Sequence, residues 1–309
     1  FLFYGEPKSF WARKFIPKYR LVIWGKIDIE ELIITFVLFA AFLHAFWNFI
    51  LRSSKDKFLS MTAVVLGHLP LSILGLIFFG FPNLESLSFV LIGAILHFFY
   101  QIFLLNAYKY GQLSQVYPVA RGLSPLIIIL ISFIFIGEIL SKNELIGVIL
   151  ISISLLIYGI KINFESKTNF MGFVFAIITG CFIASYSLVD GYGARIAQNP
   201  IGFYSSLTLI NGLFYFVYSS LFYKDILRKI TYEGKTIFWI GGSASYIAYA
   251  IVVWACTYFP IAVVSSLRET SILFALLLSR VFLKEKITFF SLVIILFILI
   301  GIILMRSGL

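Results

Sequence analysis

Two arginines, Arg121 and Arg268, interrupt apolar stretches that are otherwise long enough to cross a membrane. They lie in the segments V-Y-P-V-A-R-G-L-S-P-L and V-V-S-S-L-R-E-T-S-I-L, which align without a gap at an offset of 147 residues. A glutamate, Glu138 or Glu285, follows each arginine after 17 positions. A charge inside a bilayer is costly and usually marks a pathway or a binding site. The pattern therefore predicts a duplicated membrane protein whose two arginines serve a functional site.

The composition is that of a membrane protein. Hydrophobic residues make up 61% of the chain and charged residues only 12%, and the mean hydropathy is +1.02. Because charged residues are typically about a quarter of a globular domain, this chain lacks the polar surface that a soluble fold needs. The net charge of +10 lies mostly in short linkers and in the first 26 residues, as lipid headgroups and topology require. We therefore predict membrane lipids as partners and no binding of nucleic acid.

The two cysteines, Cys181 and Cys256, lie in apolar stretches without the spacing of a metal site or a redox pair. We interpret both as small core residues. The sequence accordingly predicts no metal and no cofactor.

Residues 1–28 form a separate N-terminal arm, whose first 26 residues include six basic residues among aromatic ones. The arm has neither the uninterrupted apolar core nor the cleavage site of a signal peptide. Two interpretations stay open: an arm that lies at the membrane interface, and an upstream extension that is not part of the native protein.

Apolar runs of about 20 residues, the length that spans a bilayer, recur ten times along the chain. Backbone groups in hydrocarbon must bond within the protein, and the alternating pattern of a membrane barrel is absent, so the spans are expected to be helices. The predicted spans are 29–51, 58–80, 87–107, 114–136, 144–160, 170–190, 201–222, 237–258, 261–282 and 287–305.

The duplication extends beyond the two arginines and predicts an inverted repeat. One five-helix repeat covers 29–160 and the other 170–305, and H-A-F-W-N in the first span parallels I-A-S-Y-S in the sixth. Because five is odd, the second repeat enters the membrane from the opposite side. The predicted fold class is all-α, with ten transmembrane helices in two inverted five-helix repeats. Secondary transporters use this plan and bind substrate near the midplane between the repeats.

The basic residues of the linkers predict the orientation. The linkers after odd-numbered spans carry twelve Lys and Arg residues, and those on the opposite side carry two, Lys142 and Arg195. By the positive-inside rule the first set faces the cytoplasm, so both termini face outward. The six basic residues of the arm and Arg306 narrow this balance to twelve against nine. A reporter domain fused to either terminus tests the orientation.

Arg121 and Arg268 are the leading candidates for substrate contact. The planar guanidinium suits a carboxylate, phosphate or phosphonate group. Alternatively, each arginine is structural and binds Glu269 or carbonyls that Pro118 and Pro125 leave free. Glu269 has two interpretations as well: a buried carboxylate that carries a coupled proton, or a permanent counter-charge for the arginines.

Further polar and aromatic residues are expected to line the same pocket. His44 and Asn48 share a helix face in the first span, and Tyr100 and Gln101 lie in the third. The alternative for these residues is a hydrogen bond to a neighbouring helix. The predicted substrate-binding residues are Arg121, Arg268, His44, Asn48, Tyr100, Gln101, Tyr117 and Tyr249.

The chain resembles ten-helix members of the drug/metabolite transporter superfamily with two EamA-type repeats. The resemblance is carried by H-A-F-W-N at 44–48, by A-Y-K-Y-G-Q-L-S-Q-V-Y-P-V-A-R-G-L-S-P-L at 107–126, by G-E at 137–138 and by K-E-K-I-T at 284–288. It covers nearly the whole chain after residue 28.

This resemblance implies a transporter but leaves the cargo open, because such proteins move amino acids, drugs, sugars and other metabolites. Part of the pattern also resembles a subgroup linked to phosphonate use. The linker at 81–86, often basic in such proteins, has no Lys or Arg here.

Together these features predict a secondary transporter of a small polar, possibly anionic, metabolite that works by alternating access. The chain has no phosphate-binding loop for ATP and none of the sequence motifs of intramembrane hydrolases, so we do not expect an enzyme. A flippase for lipid or lipid-linked cargo is the main alternative, and an intramembrane enzyme is a remote one. We expect an integral protein of the bacterial inner (cytoplasmic) membrane with a small-molecule substrate, and we leave a homodimer open.

Overall fold

The structure is a computed structural model that describes residues 29–54, 56–111, 113–165, 169–282, 284 and 288–308. Within these ranges the regular elements are helices, and ten of them are long and apolar enough to cross a membrane. The predicted all-α class with ten spans is therefore confirmed. Outside the described residues lie the predicted N-terminal arm, Glu285 of the repeat pattern and the linker lysines Lys55, Lys167 and Lys286.

The ten spanning helices are numbered α1 to α10 in chain order. A π-helical turn, Ser132–Ile136, follows α4, another, Ile237–Gly241, precedes α8, and a short helix, Ile226–Tyr232, lies between α7 and α8. The bounds are α1 Ile29–Ser53, α2 Lys57–Phe79, α3 Leu87–Tyr110, α4 Leu113–Ile131, α5 Lys142–Glu165, α6 Phe170–Ala197, α7 Pro200–Phe222, α8 Gly242–Ala255, α9 Ile261–Phe282 and α10 Phe289–Gly308.

The sixth helix is longer than predicted. We expected it to end at Asp190, but α6 continues to Ala197. Gly193 lies in this added stretch, where a Cβ atom would stand 2.6 Å from the ring of Phe203, so the helix is packed closely against α7. Small residues of this kind allow membrane helices to approach one another. Asp190 consequently lies inside the bundle, with 1% of its surface exposed.

The two free cysteines differ in their surroundings. Cys256 is buried, as expected, but Cys181 on α6 is exposed, and its assignment to the core was wrong. An apolar stretch does not distinguish the two positions, because lipid is as apolar as a protein core.

Polar residues in the linkers cap the first turns of several helices. Asp56 accepts a hydrogen bond from the backbone N–H of Leu59 (2.9 Å) and so caps α2, and Asn199 caps α7 through Gly202 (3.0 Å). The amide of Asn199 also donates to the carbonyl of Phe79 at the end of α2 (2.8 Å). This cap therefore joins a helix of one repeat to a helix of the other.

The contacts between the two repeats occur in matched pairs. Helix α3 packs on α6 and α8 on α1, while α4 packs on α6 and α9 on α1. Two helices pack on their own counterparts, α2 on α7 and α5 on α10. A two-fold axis in the membrane plane relates helices in this way, as expected for an inverted repeat.

Helices α2 and α8 approach each other closely where Gly67 of α2 meets Gly242 of α8. A Cβ atom on Gly242 would lie 2.7 Å from Cα of Gly67, which real side chains do not allow. At the neighbouring Gly241 the nearest atoms are 3.5 Å away, an ordinary contact distance. The two adjacent glycines therefore form a matched pair for an experiment.

We expect Gly242→Ala to lower the free energy of unfolding by about 1–3 kcal/mol, because α2 and α8 must move apart. Gly241→Ala is expected to be neutral or slightly stabilising, since alanine favours helix over glycine. Thermal unfolding of the purified protein in detergent measures both effects. Equal unfolding temperatures for the two variants would contradict the close helix contact.

Candidate functional site

The centre of the bundle holds a buried ion cluster of Arg121 from α4 and Arg268 and Glu269 from α9. Arg121 Nη1 donates to Glu269 Oε1 at 2.9 Å, and Arg268 Nη2 lies 3.8 Å from the same oxygen. All three side chains are at most 3% exposed. The guanidinium groups of the two repeats therefore meet at one carboxylate, with two positive charges and one negative charge in the cluster.

Helix α9 is interrupted at this cluster. Its first half, Ile261–Arg268, ends at the arginine, a turn passes through Glu269 and Thr270, and the second half begins at Ser271. Irregular backbone at membrane depth is tolerated where protein buries it or where it lines a cavity. The carboxyl end of the first half carries a partial negative charge, which favours a cation at Arg268.

Helix α4, by contrast, stays helical through Pro118 and Pro125. Because Pro125 has no N–H, it cannot donate the usual helical hydrogen bond to the carbonyl of Arg121. The hydroxyl of Ser124 donates to that carbonyl instead, at 3.4 Å. The two repeats therefore differ at equivalent positions: α4 has the prolines, and α9, which has none, has the break.

Of the two candidates on α1, only His44 reaches the ion cluster. Its Nε2 forms a hydrogen bond with Arg121 Nη2. Asn48 donates to the carbonyl of His44 on its own helix (2.8 Å). The side chain of Asn48 is therefore directed to the helix backbone.

Each arginine lies over a tyrosine ring. The guanidinium carbon of Arg121 is 5.0 Å from the ring centre of Tyr117, and that of Arg268 is 5.5 Å from the ring of Tyr249. At these distances the ring faces stabilise the buried cations. Tyr117 also shares a hydrogen bond of 3.0 Å with Ser271, at the start of the second half of α9.

The two candidates on α3 contact residues outside the ion cluster. Tyr100 packs edge-on against Tyr186, with ring centres 5.3 Å apart. Gln101 donates to Asn211 on α7 at 3.0 Å. Gln101 thus forms a bond between helices, the alternative left open by the sequence.

Asp190 forms a second ionisable cluster that the sequence did not predict. In the sequence Asp190 ends the predicted sixth span shortly before Arg195, which favours a local pair or a helix cap. The structure contradicts this, because α6 continues past Asp190 and Arg195 pairs with Glu138. Instead Asp190 Oδ2 lies 2.7 Å from His97 Nε2 and accepts a hydrogen bond from the Tyr249 hydroxyl at 2.8 Å. The sequence does contain a signal for this cluster, because His97 and Asp190 each place an ionisable side chain in an apolar span.

A small cavity lies between the two clusters. The space that the centre of a water molecule can occupy is about 10 Å³, so the cavity has room for about one water. Four of its lining residues have buried polar atoms without a hydrogen-bond partner among the described residues: Ser187 Oγ, Asp190 Oδ1, Ser265 Oγ, and Nε and Nη2 of Arg268. The cavity is thus a polar hollow in the middle of an apolar bundle.

The comparisons with known proteins agree with this architecture. The profile of the EamA-like transporter family matches residues 31–160 and 170–307. The chain belongs to the EamA-like transporter family. A solved crystal structure, described only as that of a protein, is 16% identical, covers 89% of this chain and 96% of its own, and has a TM-score of 0.65, a likeness of fold. No curated protein matches the chain.

In this EamA-like transporter a further buried ion pair joins the two repeats just after the π-helical turn that follows α4. Glu138 lies 2.7 Å from Arg195 Nη2 on α6 and accepts from the backbone N–H of Ile261, the first residue of α9, at 3.1 Å. Arg195 also donates to the carbonyls of Cys256 and Phe259, in the turn before α9. Glu138 thus caps a helix of the opposite repeat.

Proposed function

We propose that this EamA-like chain is a secondary transporter that moves a small polar, anionic metabolite by alternating access. The supporting observation is the convergence of two guanidinium groups, one from each repeat, on a single carboxylate oxygen of Glu269. Arg268 has two donor atoms without a hydrogen-bond acceptor among the described residues. A buried cation with free donors favours an anion.

Glu269 has a defined role in this scheme. It holds Arg121 and Arg268 together when no substrate is bound, and the anion of the substrate takes over these donors. Since Glu269 lies in the turn that interrupts α9, its release allows the two halves of α9 to move separately. Access alternates between the two repeats, 29–160 and 170–305, and because their first helices are exchanged, each moving unit contains the first helix of the other repeat.

The remaining candidates form the surroundings of the anion site. His44, Tyr117 and Tyr249 contact the arginines directly and limit the size of the substrate. Tyr100 belongs to the aromatic wall behind them. Gln101 joins α3 to α7 through Asn211, and Asn48 bonds to the backbone of its own helix. An all-helical bundle is typical of the bacterial cytoplasmic membrane, where we place the protein.

The alternative of a lipid flippase has less support. An apolar groove of about 550 Å³ lies between α3 and α7. Its lining contains neither of the two arginines and no charged residue, so it offers no site for a lipid headgroup. The groove is lined by Ile95, Phe98, Phe99, Leu213, Phe214, Val217 and Tyr218.

The proposal is tested by thermal unfolding of the purified protein with carboxylates, phosphate esters and phosphonates, each beside a neutral analogue. A true ligand at 100 times its Kd stabilises the folded protein by about 2.7 kcal/mol. We expect at least one anion to do so, and expect Arg121→Ala and Arg268→Ala to abolish the effect.

Arg306→Ala is the matched control, because this arginine forms an exposed pair with Glu31 and should leave the ligand response intact. Stabilisation by anions that persists in both Arg121→Ala and Arg268→Ala would refute the proposed site. Counterflow of the same ligand in proteoliposomes then separates transport from binding alone.

A further inference from the structure

His97 on α3, Asp190 on α6 and Tyr249 on α8 form a cluster beside the arginines with the chemistry of a proton site. Asp190 is 1% exposed, and both His97 and Tyr249 bond to the same oxygen, Oδ2. We propose that this cluster binds and releases a proton, with Asp190 as the residue that carries it. This inference rests on the proposed transport function and names its coupling site.

The second oxygen of Asp190 is the position for the proton. Oδ1 is buried and has no hydrogen-bond partner among the described residues. Asp190 is one of the residues that line the small polar cavity. A water in that cavity can pass on a proton that it receives from solvent: it gives one proton to Oδ1 and takes up another, so that the carboxylate becomes a carboxylic acid and the water stays neutral. The bonds from His97 and Tyr249 to Oδ2 are compatible with both forms.

Asp190 faces titratable and charged groups on several packed elements. The titratable and charged groups that face it from the packed elements are His97 of α3, Tyr186 of α6, Tyr204 of α7, Tyr249 of α8, Cys256 after α8 and Arg268 of α9. Of these, only Arg268 is always cationic. Among the described residues, no group of three His, Cys, Asp or Glu side chains is arranged to hold a metal ion.

Charge balance links this proton to the substrate. Arg121 and Arg268 are balanced by Glu269 and Asp190, so the buried centre is neutral when it is empty. An anionic substrate adds a negative charge, and a proton on Asp190 restores neutrality, which matters because unbalanced buried charge is costly. A proton on Glu269 would instead remove the counter-charge that both arginines contact. Asp190 is therefore the better carrier.

Infrared difference spectroscopy of the full chain in lipid nanodiscs tests the proton site without any substrate. Acidification of the sample should produce the carbonyl band of a protonated carboxylic acid in the wild type. Asp190→Asn should lose this band, and Asp190→Glu should restore it at a different frequency.

The outcomes distinguish this inference from the proposed function. A band that is unchanged in Asp190→Asn and Asp190→Glu, or absent from the wild type, overturns the proton site. If Asp190→Asn does not fold, the frequency of the band in Asp190→Glu decides alone. Loss of anion binding in Arg121→Ala is scored separately by thermal unfolding, so either idea can fail while the other stands.

Discussion

Replacing Glu269 with glutamine is expected to destabilise the protein by about 3–5 kcal/mol, the usual cost of leaving buried charges without a partner. Arg121 and Arg268 both lie within 4 Å of the same oxygen, so this single change leaves two buried cations facing each other. Arg121→Gln is expected to cost less, because Glu269 keeps Arg268 and the cluster becomes neutral. Thermal and chemical unfolding of the purified variants measure the difference.

The order of the two effects is the informative result. The exposed pair of Glu31 and Arg306 supplies the control, since Glu31→Gln should change stability by at most about 1 kcal/mol. If Arg121→Gln proved more damaging than Glu269→Gln, the shared carboxylate could not be the element that holds both arginines. Anion binding should nevertheless be lost in Arg121→Gln, which separates the role in stability from the role in binding.

A second large effect is expected at Glu138, whose replacement by glutamine should also cost about 3–5 kcal/mol. This carboxylate is 2% exposed and holds both Arg195 and the first backbone N–H of α9. Its loss leaves Arg195 with a buried charge and α9 without its cap. The measurement is again the free energy of unfolding.

The exposed Glu85 provides a comparison, because Glu85→Gln should be nearly neutral. A double variant, Glu138→Gln with Arg195→Gln, should cost much less than the sum of the single changes if the two residues act as a pair. Additive costs would show that they contribute independently.

The spans and their pairing could be predicted from the sequence because length, hydropathy and the offset of 147 residues are properties of the chain itself. The convergence of Arg121 and Arg268 followed from the inverted repeat. The break in α9 could not be predicted, because it has no proline or glycine at 269 and 270, and tertiary contacts with Arg121 stabilise it. Prolines, where they do occur in α4, leave the helix intact.

The partners of individual polar residues were also beyond the sequence. Helical spacing places His44 and Asn48 on one face, but only contacts with α4 decide that His44 reaches Arg121 while Asn48 bonds to its own helix. Similarly, Asp190 finds His97 across 93 positions of chain, because α6 runs on past the point where its hydropathy falls. A periodic pattern gives the face of a helix and not the neighbour that meets it.

The crossed packing of α1 and α6 bears on how such a chain could have arisen. Helix α6 lies against α3 and α4, and α1 lies against α8 and α9, so each half lends its first helix to the other. In a product of half the gene, the third and fourth helices would lack a packing partner, because they pack on the first helix of the other repeat. Two such products, inserted in opposite directions, could complete each other by exchanging that helix, and an ancestor of this kind would have been an antiparallel dimer before the genes fused.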